Sequence, residues 1–358
     1  MKINHNYYLK LAFEKAKINL GKTKMNPSVG CVVVKNNSVI SSGYTSINGR
    51  PHAEFNALNK KKNFKDSDIF VTLEPCTHYG VTPPCTNIIL KKKIKRIYYM
   101  FNDVDQRTSK KLKTKMNNKN IKVYKKKIDL FSGFYDSYFN LHNKILPTID
   151  AKIAISKDFY SIDKNKKWIT NEASRKRGHL LRSQYQAIIS TSKTVNLDNS
   201  LLNCRIEGFD KLKPDVILLD LKLKLKKNLR LFKDNMNRKI IIITSSSNID
   251  KINFFKKKNI KFIFIDKLKN KSDYVNLFTK LKKFGYNRIL IESGLIFLKD
   301  LLNKNFVSNL YLFKSFKKLN KDGRNNTSST MLKNLGKFKK IKVNLNGESI
   351  LKVKLNNV

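Results

Sequence analysis

PHAEFNALN at residues 51–59 and EPCTHYGVTPPC at 74–85 decide how this chain reads. The first sets a histidine two residues before a glutamate. The second sets two cysteines among prolines, with the residues THYGVTPP between them. Read as halves of one metal site, His52, Cys76 and Cys85 supply three zinc ligands and leave Glu54 over. Zinc hydrolytic chemistry needs that division of labour: three protein ligands, an open fourth position for water, and a base that is not itself a ligand. Two thiolates cancel the metal's formal charge. Pro75 and the Pro83-Pro84 pair predict that both cysteines stand where helices begin, so that backbone N–H groups lower their thiol pKa.

Working outward, apolar residues at Tyr8, Ala12, Ala16 and Leu20 recur at helical spacing, and VGCVVVK (29–35) reads as a buried strand. Asn36-Asn37-Ser38 can turn the chain into VISSGY, which makes a hairpin. A helix follows near His52, then a strand DIFVTLE, a helix from Cys85 through IILKKK, a strand KRIYYMF, a lysine-rich helix and a short strand IKVYK. Strands alternating with helices predict a three-layer α/β/α domain. With 358 residues the chain exceeds what one core usually organises, and the reading divides it into domains at 1–145 and 146–358. The second half restarts with PTIDAKIAIS (147–156) and carries further strand candidates at VILLD, KIIIIT, KFIFI and RILIE. Helical stretches at 171–183 and 274–284 lie between them, which predicts a second α/β domain. Neither a P-loop nor a Gly-x-Gly-x-x-Gly fingerprint occurs.

Composition narrows the class. Hydrophobic residues are 41% of the chain, enough for real cores, yet no apolar run approaches the ~18 residues of a membrane span. The opening segment has helical spacing but no signal-peptide block. Four cysteines are too few for a disulfide scaffold of this length and suit a reducing compartment, so a cytoplasmic location without membrane attachment is expected. The net charge of +49 would suit a nucleic-acid partner. Only 11 of the 75 basic residues are arginine, however, and the lysines run through the whole chain with abundant Asn and Ile. That is compositional drift toward lysine, whereas base-reading surfaces favour the planar arginine fork. No nucleic-acid partner is expected; the charge would steer anionic small molecules.

The order His-x-Glu followed by Pro-Cys is that of the zinc base deaminases. The long cysteine spacing, with NPSVGCVVVK, GRPHAE and VTLEPCTHYGVTPPC, resembles the deaminase domain of the bifunctional riboflavin-biosynthesis deaminase-reductases. The resemblance continues through AKIAISKD, KKWIT, LLRSQYQAII, TVNLDNSLLNCR and LIESG. It implies a cytidine-deaminase-like domain followed by a dihydrofolate-reductase-like one. It implies Zn2+ and NADPH as cofactors, phosphorylated pyrimidines as substrates, and a homo-oligomer. In the first domain, water activated at the metal would attack a ring carbon of diaminohydroxyphosphoribosylaminopyrimidine while Glu54 carries its proton to the leaving ammonia. Asn26 would lie near that substrate, and His78 could contact its phosphate.

In the second domain the resemblance puts Ala154, Trp168, Thr194, Asp198 and Gly294 onward at the cofactor, and Arg182, Leu202, Arg205 and Glu292 at the substrate. Arg182 and Arg205 could each hold phosphate oxygens through paired N–H donors. The chain departs from the family at NDVDQRTSKKL (102–112), which replaces a Pro- and Gly-rich loop, at Phe159, which replaces a glycine, and at Lys166, Ser190 to Lys193 and Leu221. Two other readings fit the same residues: a deaminase whose reductase domain has degenerated, and a nucleic-acid base deaminase.

Overall fold

The computed structural model describes residues 5–128, 131, 133–143, 145–209, 213–233, 238–327, 332 and 334–355. The chain forms two compact units, Met1–Lys144 and Ile145–Val358.

In the first unit the elements run α1 (His5–Lys17), β1 (Gly30–Lys35), β2 (Ser38–Tyr44), α2 (Ala53–Leu58), β3 (Asp68–Leu73), α3 (Cys85–Lys91), β4 (Arg96–Phe101), α4 (Leu112–Asn117), β5 (Lys122–Lys125) and α5 (Asp136–Asn143). The sheet order is β2-β1-β3-β4-β5. The first three strands pair antiparallel, and β3, β4 and β5 are parallel. Asn36 and Asn37 both take positive φ, 49° and 62°, which is what a tight two-residue hairpin asks and what Asn tolerates. The strand period of two sorts the core. Val32, Val34, Phe70, Tyr98 and Met100 meet Leu9, Ala12 and Phe13 of α1 on one face. Cys31, Val33, Ile69, Val71 and Ile97 meet Ala57 of α2, Ile89 of α3 and Met116 of α4 on the other. A three-layer α/β/α domain results.

The second unit runs β6 (Thr148–Ile155), β7 (Tyr160–Asp163), α6 (Glu172–Ser183), β8 (Ala187–Thr191), α7 (Ser192–Asp198), β9 (Asp215–Leu219), β10 (Ile240–Thr244), α8 (Ile249–Lys257), β11 (Lys261–Phe264), α9 (Lys271–Lys283), β12 (Arg288–Ile291), α10 (Leu295–Asn303), β13 (Asn309–Lys314), β14 (Gly323–Asn326), β15 (Lys339–Lys340) and β16 (Ser349–Lys354). Nine strands form one sheet in the order β11-β10-β9-β8-β12-β6-β13-β16-β15, and β14 pairs separately with β7. The strands from β11 to β13 are parallel, and β16 and β15 add an antiparallel edge. Helices α9 and α10 cover one face through Phe278, Leu281, Leu298 and Leu301. Phe255 of α8 and Val195 of α7 pack on the other.

Phe159 takes φ of 70°. A bulky side chain there is costly unless its surroundings hold it. They do: its carbonyl accepts both the Thr327 amide at 2.8 Å and the Thr327 hydroxyl at 2.9 Å, and Lys314 sits over its ring.

Candidate active sites

Helix α2 carries the first half of the metal site. His52 is its N-cap residue and Glu54 lies in its first turn. The helix lies very close to β2 because Gly43 has no side chain: a Cβ there would come within 2.4 Å of the Ala53 carbonyl oxygen and 2.5 Å of the Ala57 amide. The second half comes from the segment between β3 and α3. Cys85 opens α3 behind Pro84, as the prolines predict. Cys76 does not open a helix. It sits in an irregular stretch after β3, and its Sγ instead accepts the Cys85 amide at 3.2 Å, so the N-terminus of α3 reaches both sulfurs.

His52 Nδ1 is 3.6 Å from Cys76 Sγ and 3.4 Å from Cys85 Sγ. Tetrahedral zinc with Zn–S of ~2.3 Å and Zn–N of ~2.0 Å separates such ligand atoms by ~3.6 Å. The donor set and its spacing therefore fit Zn2+, and among the described residues only this group of His, Cys, Asp and Glu side chains could hold a metal. Of the two neighbouring sulfurs, Cys76 is the one held as thiolate: the Cys85 thiol beside it pulls the Cys76 thiol down against the opposing effect of burial, with the His52 ring assisting. The same contact, with burial, pushes Cys85 up. A dication among these ligands displaces the remaining proton. Glu54 is fully buried, and burial followed by the Cys76 thiolate pushes its carboxyl up to about 7. It is thus suited to take and return a proton near neutral pH.

A cleft opens over these residues, lined also by Asn26, Arg50, His78, Asp103, Arg107 and Tyr138. Its wall is the altered loop after β4. Glu74, buried beside the cysteines, holds that loop by accepting the amides of Asp103, Lys110 and Leu112 at 3.2, 3.1 and 3.3 Å.

In the second unit the polar residues gather at the carboxyl ends of β6 and β12, where open α/β sheets bind their ligands. Arg182 of α6 meets Glu292, just past β12, through Nε to Oε1 at 2.6 Å and Nη2 to Oε2 at 2.8 Å. Burial would raise the Glu292 carboxyl, but the Arg182 charge and its two bonds hold it at about 2. Arg182 Nη1 donates to the Asn203 carbonyl, so this guanidinium is committed to protein groups. Arg205 donates to Asn203 Oδ1 and is otherwise exposed. Thr194 Oγ1 accepts the Gly294 amide at 3.1 Å, joining α7 to the N-cap of α10. A Cβ on Gly294 would meet only Thr194 Oγ1, at 3.6 Å, so bare backbone faces open space at a helix N-terminus, which suits a diphosphate. Trp168 is half exposed, with Lys167 and Arg175 over its ring. Ala154 lies on β6. Leu202 has its side chain in the core and a left-handed backbone with φ of 48°, leaving only main-chain atoms to face a ligand.

Sequence reasoning missed Lys152. It lies on β6 two residues before Ala154, and burial pushes its amine down, with Glu292 and Asp198 opposing and Arg182 assisting. It also missed His179, whose ring bonds the Asn203 carbonyl at 2.9 Å and is pushed down to about 4 by burial and Arg182.

The first unit has the architecture and donor set of a cytidine-deaminase-like zinc hydrolase, and the second those of a reductase of dihydrofolate-reductase-like fold. Comparison with known proteins agrees for each. The cytidine and deoxycytidylate deaminase zinc-binding region matches residues 2–101, and the RibD C-terminal domain matches residues 147–334. The chain is 31% identical to the riboflavin biosynthesis protein RibD of Aquifex aeolicus over 86% of this chain and 85% of that one. It is 30% identical to the RibD of Buchnera aphidicola subsp. Baizongia pistaciae over 86% of each. The structure of Acinetobacter baumannii RibD superposes with a TM-score of 0.77 at 25% identity, covering 98% of both chains. The chain belongs to the RibD family of bifunctional riboflavin-biosynthesis enzymes, which join a zinc-dependent deaminase to an NADPH-dependent reductase.

Proposed function

We propose that the unit before residue 146 deaminates diaminohydroxyphosphoribosylaminopyrimidine and that the unit from 146 onward reduces the ribosyl side chain of the product to ribityl. A Thermotoga maritima protein whose fold this chain shares bears both activities in its name. The observation that carries the reading is the set of His52, Cys76 and Cys85 around one point with the buried, non-ligating Glu54 beside it.

His52, Cys76 and Cys85 hold Zn2+, which when bound acidifies water and polarises it for attack. Glu54 takes the proton from the attacking water and delivers it to the departing ammonia. Asn26 and His78 line the substrate side of the cleft. In the second unit Ala154, Trp168, Thr194, Asp198 and Gly294 would hold NADPH, which when bound would supply the hydride that reduces the ribosyl carbon. Closing the balance requires one proton at the ring oxygen that this carbon releases, and we assign it to Lys152 of β6, a buried amine that burial pushes down while Glu292 and Asp198 favour its charged form. Ala154, Trp168, Thr194, Asp198 and Gly294 face the cofactor, while Leu202 contributes backbone to the substrate side. Arg205 takes the substrate phosphate, and Arg182 serves by orienting Glu292. The enzyme acts in the cytoplasm as a homo-oligomer on small phosphorylated pyrimidines, without a nucleic-acid partner. Among the described residues no helix is long and apolar enough to cross a membrane.

Glu54→Gln tests the role assignment. It is expected to keep about one zinc per chain and to lose ammonia release by at least ~10²-fold. Loss of the metal in that variant would make Glu54 a ligand and overturn the assignment.

A further inference from the structure

We propose that the loop after β4 braces the metal ligand Cys76 from both sides, through Glu74 before it and Thr77 after it, and that Thr108 is the positioning residue by which this loop slows the loss of zinc. The proposal rests on the zinc reading of the first unit.

The three ligands are placed by unequal means. His52 is the N-cap of α2 and Cys85 is the first residue of α3, so regular structure fixes each backbone. Cys76 lies in an irregular stretch. Its carbonyl accepts the Thr86 amide at 3.3 Å and its Sγ accepts the Cys85 amide, which ties the residue itself to the start of α3. A ligand with no helix or strand under it depends on its chain neighbours being held, because the groups around a metal ligand fix its orientation and tune how tightly the ion is kept.

Residues 102–117 hold both neighbours. Glu74, two residues before Cys76 and buried, takes the Asp103 and Lys110 amides on Oε2 and the Leu112 amide on Oε1. Thr77, the residue after Cys76, gives its polar groups to the same segment. Its amide donates to Thr108 Oγ1 at 3.3 Å, its hydroxyl donates to the Arg107 carbonyl at 3.3 Å, and its carbonyl accepts Lys115 Nζ at 2.8 Å. Thr108 is fully buried, and its hydroxyl also meets His78 Nδ1 at 2.8 Å. One hydroxyl therefore joins the loop to the two residues that follow the ligand, while one carboxylate joins it to the residue two before. Removing that hydroxyl strands the Thr77 amide beside the ligand, since a buried donor without its partner is costly and the chain shifts to relieve it.

The test measures the rate of zinc release to excess 4-(2-pyridylazo)resorcinol, by absorbance, in the wild type, Thr108→Val, Thr108→Ser and Glu74→Gln. Valine keeps the branched shape of threonine without the hydroxyl, and serine keeps the hydroxyl. Loss of a group that orients a metal ligand corresponds to about 10- to 100-fold. Release from Thr108→Val is expected to be faster by that factor, and Thr108→Ser is expected to stay close to the wild-type rate. Glu74→Gln must set an NH2 group against at least one of the three amides and should also release faster; a wild-type rate there overturns the two-sided brace. Val32→Ala, in the core face that packs on α1, controls for general loosening. It is expected to lower the melting temperature without speeding release. An unchanged rate in Thr108→Val, or an equal acceleration in Val32→Ala, overturns the proposal. A second measurement needs no metal. Amide hydrogen exchange is followed by mass spectrometry on peptides covering 75–80 and 30–35 of the metal-free protein. Thr108→Val should exchange faster than wild type in the first and at the wild-type rate in the second, and equal exchange over 75–80 overturns the brace. A wild type that holds no zinc would sink the zinc reading, while the exchange would still decide the brace.

Discussion

Arg182 and Glu292 meet through two parallel bonds, 2.6 and 2.8 Å, with their side chains only 16% and 11% exposed. A buried pair of this kind gives little net stability when intact, but breaking it strands a charge at a cost of about 3–5 kcal/mol. The Glu292 carboxyl falls from an ordinary 4.5 to about 2, so the folded state prefers its charged form. Its contribution is present in full above about pH 4.5 and disappears as the pH falls through about 2. The only tryptophan, Trp168, lies in the second unit and reports on it selectively. Arg182→Met is expected to lower the denaturant midpoint read by Trp168 fluorescence at pH 7 and to narrow its gap from wild type as the pH approaches 2. A gap that stays constant with pH would mean the pair is not the source.

Gly43 lets α2, with His52 at its N-cap and Glu54 in its first turn, lie against β2. An alanine there must move backbone, because the Ala53 carbonyl oxygen and the Ala57 amide would sit at 2.4 and 2.5 Å from its Cβ. Overpacking of this sort costs ~1–3 kcal/mol, and here the displaced helix carries His52 and Glu54. Gly43→Ala should lower both the melting temperature and the zinc content. Full zinc occupancy with unchanged melting would show that the contact does not position the ligands.

Lys152 is expected to matter for the second reaction alone. Lys152→Met removes the proposed proton donor while keeping most of the buried stem, and NADPH oxidation with deaminated product supplied should fall by ~10²-fold or more. Ammonia release should continue at the wild-type rate, because that chemistry uses the first unit. Undiminished NADPH oxidation would remove Lys152 from the mechanism.

The zinc set was legible because its residue types are few: five histidines and four cysteines in the whole chain leave little room for chance conjunction. The strands β1, β3 and β4 were legible as short, near-continuous apolar runs, because helices cover both faces of the sheet there. Lys152 was not, since one lysine among 64 carries no contrast until the strand around it is seen to be buried. Strand β16, SILKVK, which pairs with both β13 and β15, was not legible, because its two lysines leave too few apolar positions to mark a strand. Arg182 and Arg205 looked alike as phosphate contacts. Only the fold reveals that the first is committed to Glu292 and Asn203. The Cys76 environment misled in the other direction: Pro75 suggested a helix start, whereas the helix N-terminus that reaches this sulfur belongs to Cys85.

The central claim is that one chain carries out both steps in order, and a single assay addresses it. Purified protein is incubated with diaminohydroxyphosphoribosylaminopyrimidine, first without and then with NADPH, while ammonia and NADPH absorbance are followed. Ammonia should appear without NADPH, and NADPH should then be consumed in step with the deaminated product. Ammonia release with no NADPH oxidation, even when deaminated product is added directly, would contradict the account of the second unit and leave a deaminase joined to a domain that no longer reduces.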